Sequence, residues 1–442
     1  MSVRSGGGGK AGRGGGLSPQ DRAALLSRLA GASPVVPAAA PSSARDFSTL
    51  PAAREVAAAR QLGRQTGVTS PYFHPHEGIA GARTRIAGRG LINFSSYNYL
   101  GLNGDPRVHA AATEAIQRYG VSASASRYVS GERPVHAALE AALARHYGAE
   151  EALTLVSGHA TNVTVIGHLM GASDLILHDA LIHNSAAEGV RLSGARRLAF
   201  PHNDAAAAGA LLAAERPRHA RALILVEGHY SMDGTVPDLA RFVELARRHD
   251  AWLMVDEAHA LGVLGATGRG TFEHAGVAPT DVDIWMGTLS KTLAACGGYI
   301  AGSRALVDML RHTLPGFVYS VGLAPPLAAA AAAALGILHA EPWRVAKLQA
   351  NARHFRDAAR GAGFDTGRSE GHGIVPVLLG ESLAALQAAA YLVAAGINVQ
   401  PICFPVVPDG EARLRFFLSA EHEAADLDRA VEALRAAVRA AA

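Results

Sequence analysis

The chain of 442 residues has only two cysteines, Cys296 and Cys403. Two thiols cannot build a disulfide framework, and their spacing matches no metal-binding pattern. That usage favours a reducing cytoplasm over a secreted setting. An excess of one charge is also missing: the formal net charge is +3, with acids and bases interspersed. With no basic stripe and no RNA-module signature, nucleic acid is not an expected partner. The most apolar run, "LAPPLAAAAAAALGIL", opens on a proline pair and is too short and too alanine-rich to span a bilayer. The N-terminal "MSVRSGGGGKAGRGGG" lacks the apolar core of a signal peptide and reads as a flexible lead-in.

What is present is the composition of a compact α/β protein, 49% hydrophobic and 18% charged. The pattern predicts a flexible extension over 1–45 with one short helix ("LSPQDRAALLSRLAG") and a Pro/Ala linker to about Ser43. An N-terminal segment follows over 46–104, a large domain over 105–335 and a small C-terminal α+β domain over 336–442. Within the large domain, "ALTLVS", "DLILHD", "ALILVEG", "WLMVDEA" and "DIWMGT" are short apolar runs separated by helical stretches. Near-continuous apolar strands alternating with helices indicate a mostly parallel sheet covered on both faces. Further on, "GIVPVLLG", "NVQPI" and "RLRFFLS" read as strands of the small domain.

In open sheets of this kind, ligands gather at the carboxyl ends of the strands. Asp256 ends one strand, and Lys291 follows the next in "GTLSK". A strand-end aspartate alone is more often a cap or loop anchor. A lysine among small and apolar residues is another matter, because burial pushes it towards its neutral, nucleophilic form. Together the two suit a cationic heterocycle that carries an aldehyde. The carboxylate keeps the ring nitrogen protonated, and the amine forms a Schiff base. "VSGHATN" adds a turn in which Gly158 permits close backbone approach and the next helix offers amides to an anion. The three features in this order specify pyridoxal 5'-phosphate.

"VDEAHALGVLGATGRG", "GTLSK", "EGHYSMDG", "HDALIHNS" and "ARLRFFLSAEH" resemble the motifs of the α-oxoamine synthases over roughly residues 85–440. The resemblance implies a fold-type-I pyridoxal phosphate enzyme with a seven-stranded sheet, and a homodimer with active sites at the subunit interface. It also implies decarboxylative condensation of a small amino acid (glycine, alanine or serine) with an acyl thioester, giving an α-amino ketone. A fold-type-I aminotransferase is the alternative. By this resemblance Lys291 is the Schiff-base lysine, Asp256 the partner of the ring nitrogen, His259 the partner of the phenolic oxygen and His183 the histidine stacked on the ring. Ser231 lies near the phenolic oxygen and the substrate carboxylate. Thr288 and Ser290, with the amides of Gly158 and His159, bind the phosphate, and Arg415 rather than Arg413 binds the amino acid's carboxylate. His178 is a structural neighbour.

Three positions depart from the family pattern. His159 stands where Phe or Tyr is usual. Ser320-Val321-Gly322 replaces a hydroxyl-rich triplet, leaving Ser320 to reach the neighbouring subunit's phosphate. Tyr97 occupies a position that is Asn in several members and bears on the amino-acid pocket. The stretch "VSASASRYVSGERPVH" is similar to members associated with polyketide and peptide assembly lines, which implies an acyl-carrier-protein donor, with acyl-CoA as the default alternative. Arg127 within it either faces a substrate carboxylate or caps a helix.

Overall fold

The computed structural model describes residues 45–66 and 70–441. The expected lead-in, the "LSPQDRAALLSRLAG" helix and the Pro/Ala linker lie outside the described residues. The described residues 45–66 belong to a unit of their own. In it a 3-10 turn, Phe47–Thr49, is capped by Asp46, and a sixteen-residue helix, Pro51–Thr66, follows. The helix is rich in alanine, arginine and glutamine, all good helix formers, and proline at its first position is tolerated there.

The rest of the chain is a second unit. Its strands are β1 (Arg83–Ile86), β2 (Arg89–Asn93), β3 (Glu151–Leu155), β4 (Leu175–Asp179), β5 (Arg196–Phe200), β6 (Ala222–Glu227) and β7 (Trp252–Asp256). Then come β8 (Ile284–Thr288), β9 (Gly298–Gly302), β10 (Ile374–Gly380), β11 (Ile397–Asn398), β12 (Gln400–Ile402) and β13 (Ala412–Phe417). The main sheet has seven strands in the order β3-β9-β8-β7-β6-β4-β5, parallel except for β9, which runs against both neighbours. Side chains alternate between two cores. Leu175, Leu177, Ile224, Val226, Leu253, Val255 and Trp285 pack on one face. Ile176, Leu223, Leu225, Met254, Ile284 and Met286 pack on the other. Both faces are apolar because helices cover both, as the unbroken hydrophobic runs implied.

Parallel pairing has one consequence for chemistry. It puts Asp179, Glu227, Asp256 and Thr288 on the same edge of the sheet, with Glu227 and Asp256 directly paired.

The chain leaves the main sheet through the helices Pro325–Ala340 and Trp343–Gly361. It then builds a sheet in the order β10-β13-β12 and contributes β11 to a sheet with β1 and β2. "NVQPI" therefore splits at Val399 into two strands of different sheets rather than forming one. β13 is antiparallel to both β10 and β12, so Arg413 and Arg415 are held from two sides.

Candidate active site

Asp256 closes β7 and is buried. Its Oδ2 accepts from Asn162 Nδ2 at 2.8 Å and its Oδ1 from the backbone N–H of Ala258 at 2.9 Å. Asn162 also donates to Ser185 Oγ (3.0 Å), which is bonded to His183 Nδ1 at 2.7 Å. The acid, the amide, the hydroxyl and the imidazole thus form one hydrogen-bonded chain. His183 caps the helix Asn184–Ser193 by accepting from Ser185 N–H, and the residue is exposed. Desolvation holds its pKa below the usual value, which favours the neutral ring; Asp256 opposes this and Lys291 adds to it.

Lys291 lies in the loop between β8 and β9, half-buried, with its Nζ 5.6 Å from the centre of the Tyr97 ring. Desolvation lowers its pKa to about 8, against the opposing pull of Asp256 and Glu227 and with help from Arg415. Near neutrality an appreciable part is free amine. His259 is buried, bonded through Nδ1 to the Tyr99 hydroxyl at 2.7 Å, and nearly parallel to Phe417. Burial first, then Lys291 and Arg415, push it well below the usual imidazole value, so it too is neutral.

The phosphate candidates converge as well. The helix Gly158–Leu169 is capped by Ser157, and the first N–H groups of a helix have no intrahelical partner. A Cβ on Gly158 would stand 2.6 Å from Thr288 Oγ1, so the helix end and Thr288 are in direct contact. Thr288 Oγ1 donates to Gly297 O at 3.0 Å, and Ser290 is exposed beside it. The exposed His159 ring lies edge-on to His183, centroids 6.4 Å apart. A pocket of about 500 Å³ opens here, lined by Tyr97, Ser290 and Lys291 among others.

Arg415 is half-buried, its guanidinium 4.6 Å from the centre of the Phe417 ring. Its Nη1 donates to Ser231 O at 2.9 Å, whereas its Nε is shut off from solvent without a partner. Arg413 is instead engaged by Glu411 at 3.0 Å. Of the two arginines, Arg415 is the one with a donor to spare. Ser231 is buried against it, and Tyr97 meets Phe417 edge-on at 4.7 Å. Ser320 stands apart from this group and donates only to the neighbouring Val321 O (3.3 Å) within its own chain. His178 bonds the adjacent Asp179 O.

Arg127 does neither thing anticipated for it. It is buried and gripped by Glu132 and Glu140, with a further bond to Thr154 Oγ1 at 3.0 Å, so it is a structural ion pair.

Two members of the site were not singled out from the sequence, and a third, Glu227, stood out only by its place at a strand's carboxyl end. Asn162 and Tyr99 hold Asp256 and His259 across separations of 94 and 160 residues. Asn162 is the last residue of the quoted "VSGHATN" stretch, which was its only signal. Glu227 is buried beside Asp256 with Oε1 unpartnered, and burial, then the Asp256 charge, push its pKa well up. Its strand-end position was the available signal.

An acid at a strand end, an amine with a depressed pKa, an exposed imidazole and a glycine-opened helix end fit pyridoxal phosphate. The comparisons with known proteins agree. The model of the family described as aminotransferase class I and II matches residues 89–434. The chain is 46% identical over 360 residues to an 8-amino-7-oxononanoate synthase of Methylobacterium nodulans, covering 81% of this chain and 90% of that protein. It is 44% identical over 359 residues to the same-named protein of Geobacter sulfurreducens, covering 81% and 91%. Among solved structures, a serine palmitoyltransferase of Sphingomonas wittichii superposes with a TM-score of 0.85 at 31% identity, covering 89% of this chain and 98% of that one.

Proposed function

The chain belongs to the aminotransferase class I and II family and, within it, to the α-oxoamine synthases, and from that premise we propose that its amino acid is alanine. Enzymes of this group use pyridoxal phosphate to condense a small amino acid with an acyl thioester, and this chain is such a C-acyltransferase. A bond forms between the α-carbon and the acyl carbonyl carbon, and the C–S bond breaks with loss of a thiol. The amino acid's carboxylate leaves as CO2, replaced by a proton at the α-carbon. The product is an α-amino ketone.

Alanine is favoured by the relatives' name. In 8-amino-7-oxononanoate the carbons beyond the ketone are a methyl group and an amine-bearing carbon, which are those of decarboxylated alanine.

Bound pyridoxal phosphate supplies a ring that withdraws electrons from the amino acid's α-carbon. The remaining work falls to the protein. Asp256, oriented by Asn162, would hold the ring nitrogen, and His183 would cover the ring face with a neutral imidazole that adds no charge. His259 and Ser231 would meet the phenolic oxygen. Thr288, Ser290 and the amides of Gly158 and His159 would receive the phosphate, joined by Ser320 of a second copy. Lys291 is the covalent anchor and then the base that takes the α-proton; a pKa near 8 suits both tasks. Arg415 fixes the substrate carboxylate. Its unpartnered Nε is the observation that carries this reading, since a guanidinium edge kept dry and free is matched by a carboxylate. Tyr97 borders the amino-acid pocket.

The enzyme is proposed to act as a homodimer in the cytoplasm. The exposed Tyr319 and Val321 that flank Ser320 support a subunit contact there, and the free thiols of Cys296 and Cys403 support the compartment. The acyl donor is proposed to ride on an acyl-carrier protein. No helix among the described residues is long and apolar enough to cross a membrane.

The test supplies the purified, cofactor-loaded chain with alanine, glycine or serine, and with one acyl group on either CoA or a carrier protein. Thiol and CO2 release are followed. Alanine-dependent release is expected, faster from the carrier. Preference for serine or glycine would overturn the amino-acid assignment, and absence of thiol release with all three would overturn the role given to Arg415 and Lys291.

A further inference from the structure

His274 comes from one part of the chain and Glu370 and His372 from another, and each offers one ligand atom within 4.8 Å of the other two. None belongs to the cofactor site. His274 sits on the short helix Thr271–Ala275, while Glu370 and His372 lie in the turn that leads into β10. Glu370 Oε2 and His372 Nε2 are 3.3 Å apart, and the His274 and His372 rings meet at 81° with centroids 4.9 Å apart.

We propose that these three side chains form a second site, for a divalent transition metal of the zinc type. Tetrahedral bonds of about 2.0–2.2 Å place neighbouring donor atoms about 3.3–3.5 Å apart. The Glu370–His372 spacing already has that value. His274 must close the rest, and as an exposed side chain it is free to swing. Two imidazoles and one carboxylate leave a fourth position for water. Nitrogen donors select zinc-type ions over calcium and magnesium, which want oxygen ligands.

One feature separates this cluster from an ordinary surface ion pair: its interior side has polar atoms with nothing to bind. His372 Nδ1 is buried without a partner, and so is Nε2 of the fully buried His229, whose ring is 6.1 Å away at 80°. With Nε2 facing Glu370 and the metal position, the His372 proton would sit on Nδ1, where a water would serve as its outer hydrogen-bond partner.

An ion here would tie the Thr271–Ala275 helix to the start of β10. That helix begins on Thr271, whose N–H donates to Glu257 next to Asp256, and Pro376 of β10 pairs with Arg415. The site would stiffen the frame around the cofactor pocket without touching its chemistry, and it does not depend on the functional reading above.

The experiment titrates Zn2+ into the tag-free, cofactor-loaded enzyme against a competing chromophoric chelator, with Co2+ as a spectroscopic substitute. Wild type and a Cys296→Ser/Cys403→Ser variant should each bind one equivalent per chain and gain thermal stability from it. His274→Ala, Glu370→Gln and His372→Gln should each weaken binding at least about ten-fold, remove the thermal gain and retain basal condensing activity. Unweakened binding in the His274→Ala/His372→Gln double variant would overturn the proposal. So would a wild-type enzyme that retains no zinc after dialysis against micromolar metal.

Discussion

Replacing Gly158 by alanine tests how closely the helix end is fitted to the phosphate site. The added Cβ would stand 2.6 Å from Thr288 Oγ1 and 2.9 Å from Thr288 Cβ. Ordinary carbon contacts begin at about 3.5 Å, so one partner must retreat by roughly half an ångström or more. Thr288 is tied by its bond to Gly297 O (3.0 Å). On the other side Gly298 leaves no slack: a Cβ built there would come within 2.7 Å of Gly158 Cα. Overpacking of this kind costs about 1–3 kcal/mol, and losing the threonine bond adds about 1 kcal/mol. The loss should appear as about 2–4 kcal/mol shared between chain stability and cofactor affinity, which is roughly a 30- to 800-fold effect if it all falls on affinity. Thermal melts of the cofactor-free chain and pyridoxal phosphate titrations of Gly158→Ala measure the two shares. Adding Thr288→Ala removes the nearer clash and should restore part of the stability lost by the cofactor-free chain, though not the affinity, since Thr288 is itself a phosphate candidate. A single variant with wild-type melting and wild-type affinity would refute the reasoning, as would strict additivity in the double variant.

Arg415→Lys should raise KM for the amino acid about 10- to 150-fold, since a charge-assisted bond is worth about 1.5–3 kcal/mol, while cofactor affinity stays put. An unchanged KM in steady-state assays would remove Arg415 from the carboxylate site. Tyr99→Phe leaves His259 Nδ1 buried without its 2.7 Å partner, and melts should show a loss of about 1–3 kcal/mol; an unaltered melting temperature would count against that bond. His202 lies between Asp179 Oδ1 (2.9 Å) and Asp233 Oδ2 (3.3 Å); burial opposes its charge, but the two aspartates win and raise its pKa from 6.5 to about 9. A raised pKa means stabilisation complete below pH 6.5 and lost as pH climbs through 9. It is worth at most about 3 kcal/mol, and about half that once solvent screening is allowed for. His202→Gln should flatten stability against pH across this window, and a slope equal to wild type would contradict the assignment.

What could be read from the sequence, and what could not, follows from the range of the forces involved. β4, β6, β7 and β8 announced themselves because a strand buried on both faces must be apolar throughout. β5 did not, since it lies at the sheet's edge and its two arginines face solvent. Nor did β9, a "GYIAG" stretch in which Gly298 is required by a neighbour's close approach rather than by strand propensity. Asp256 and Lys291 were legible because one ends its strand and the other follows the next, and neighbouring parallel strands deliver their ends to one edge. The groups that tune them are of another kind. Asn162, Tyr99 and Glu227 acquire their roles only when distant segments meet, and nothing local distinguishes an asparagine that orients a carboxylate from one that caps a turn. Arg127 shows the converse. In sequence it sits inside a motif that invites a substrate role, yet Glu140, thirteen residues on, is buried with it, and a buried carboxylate binds a guanidinium too tightly to leave it for a ligand. Free valence, not residue type, separates a binding arginine from a structural one: Arg415 keeps a dry donor unpaired, whereas Arg127 and Arg413 have partners for theirs.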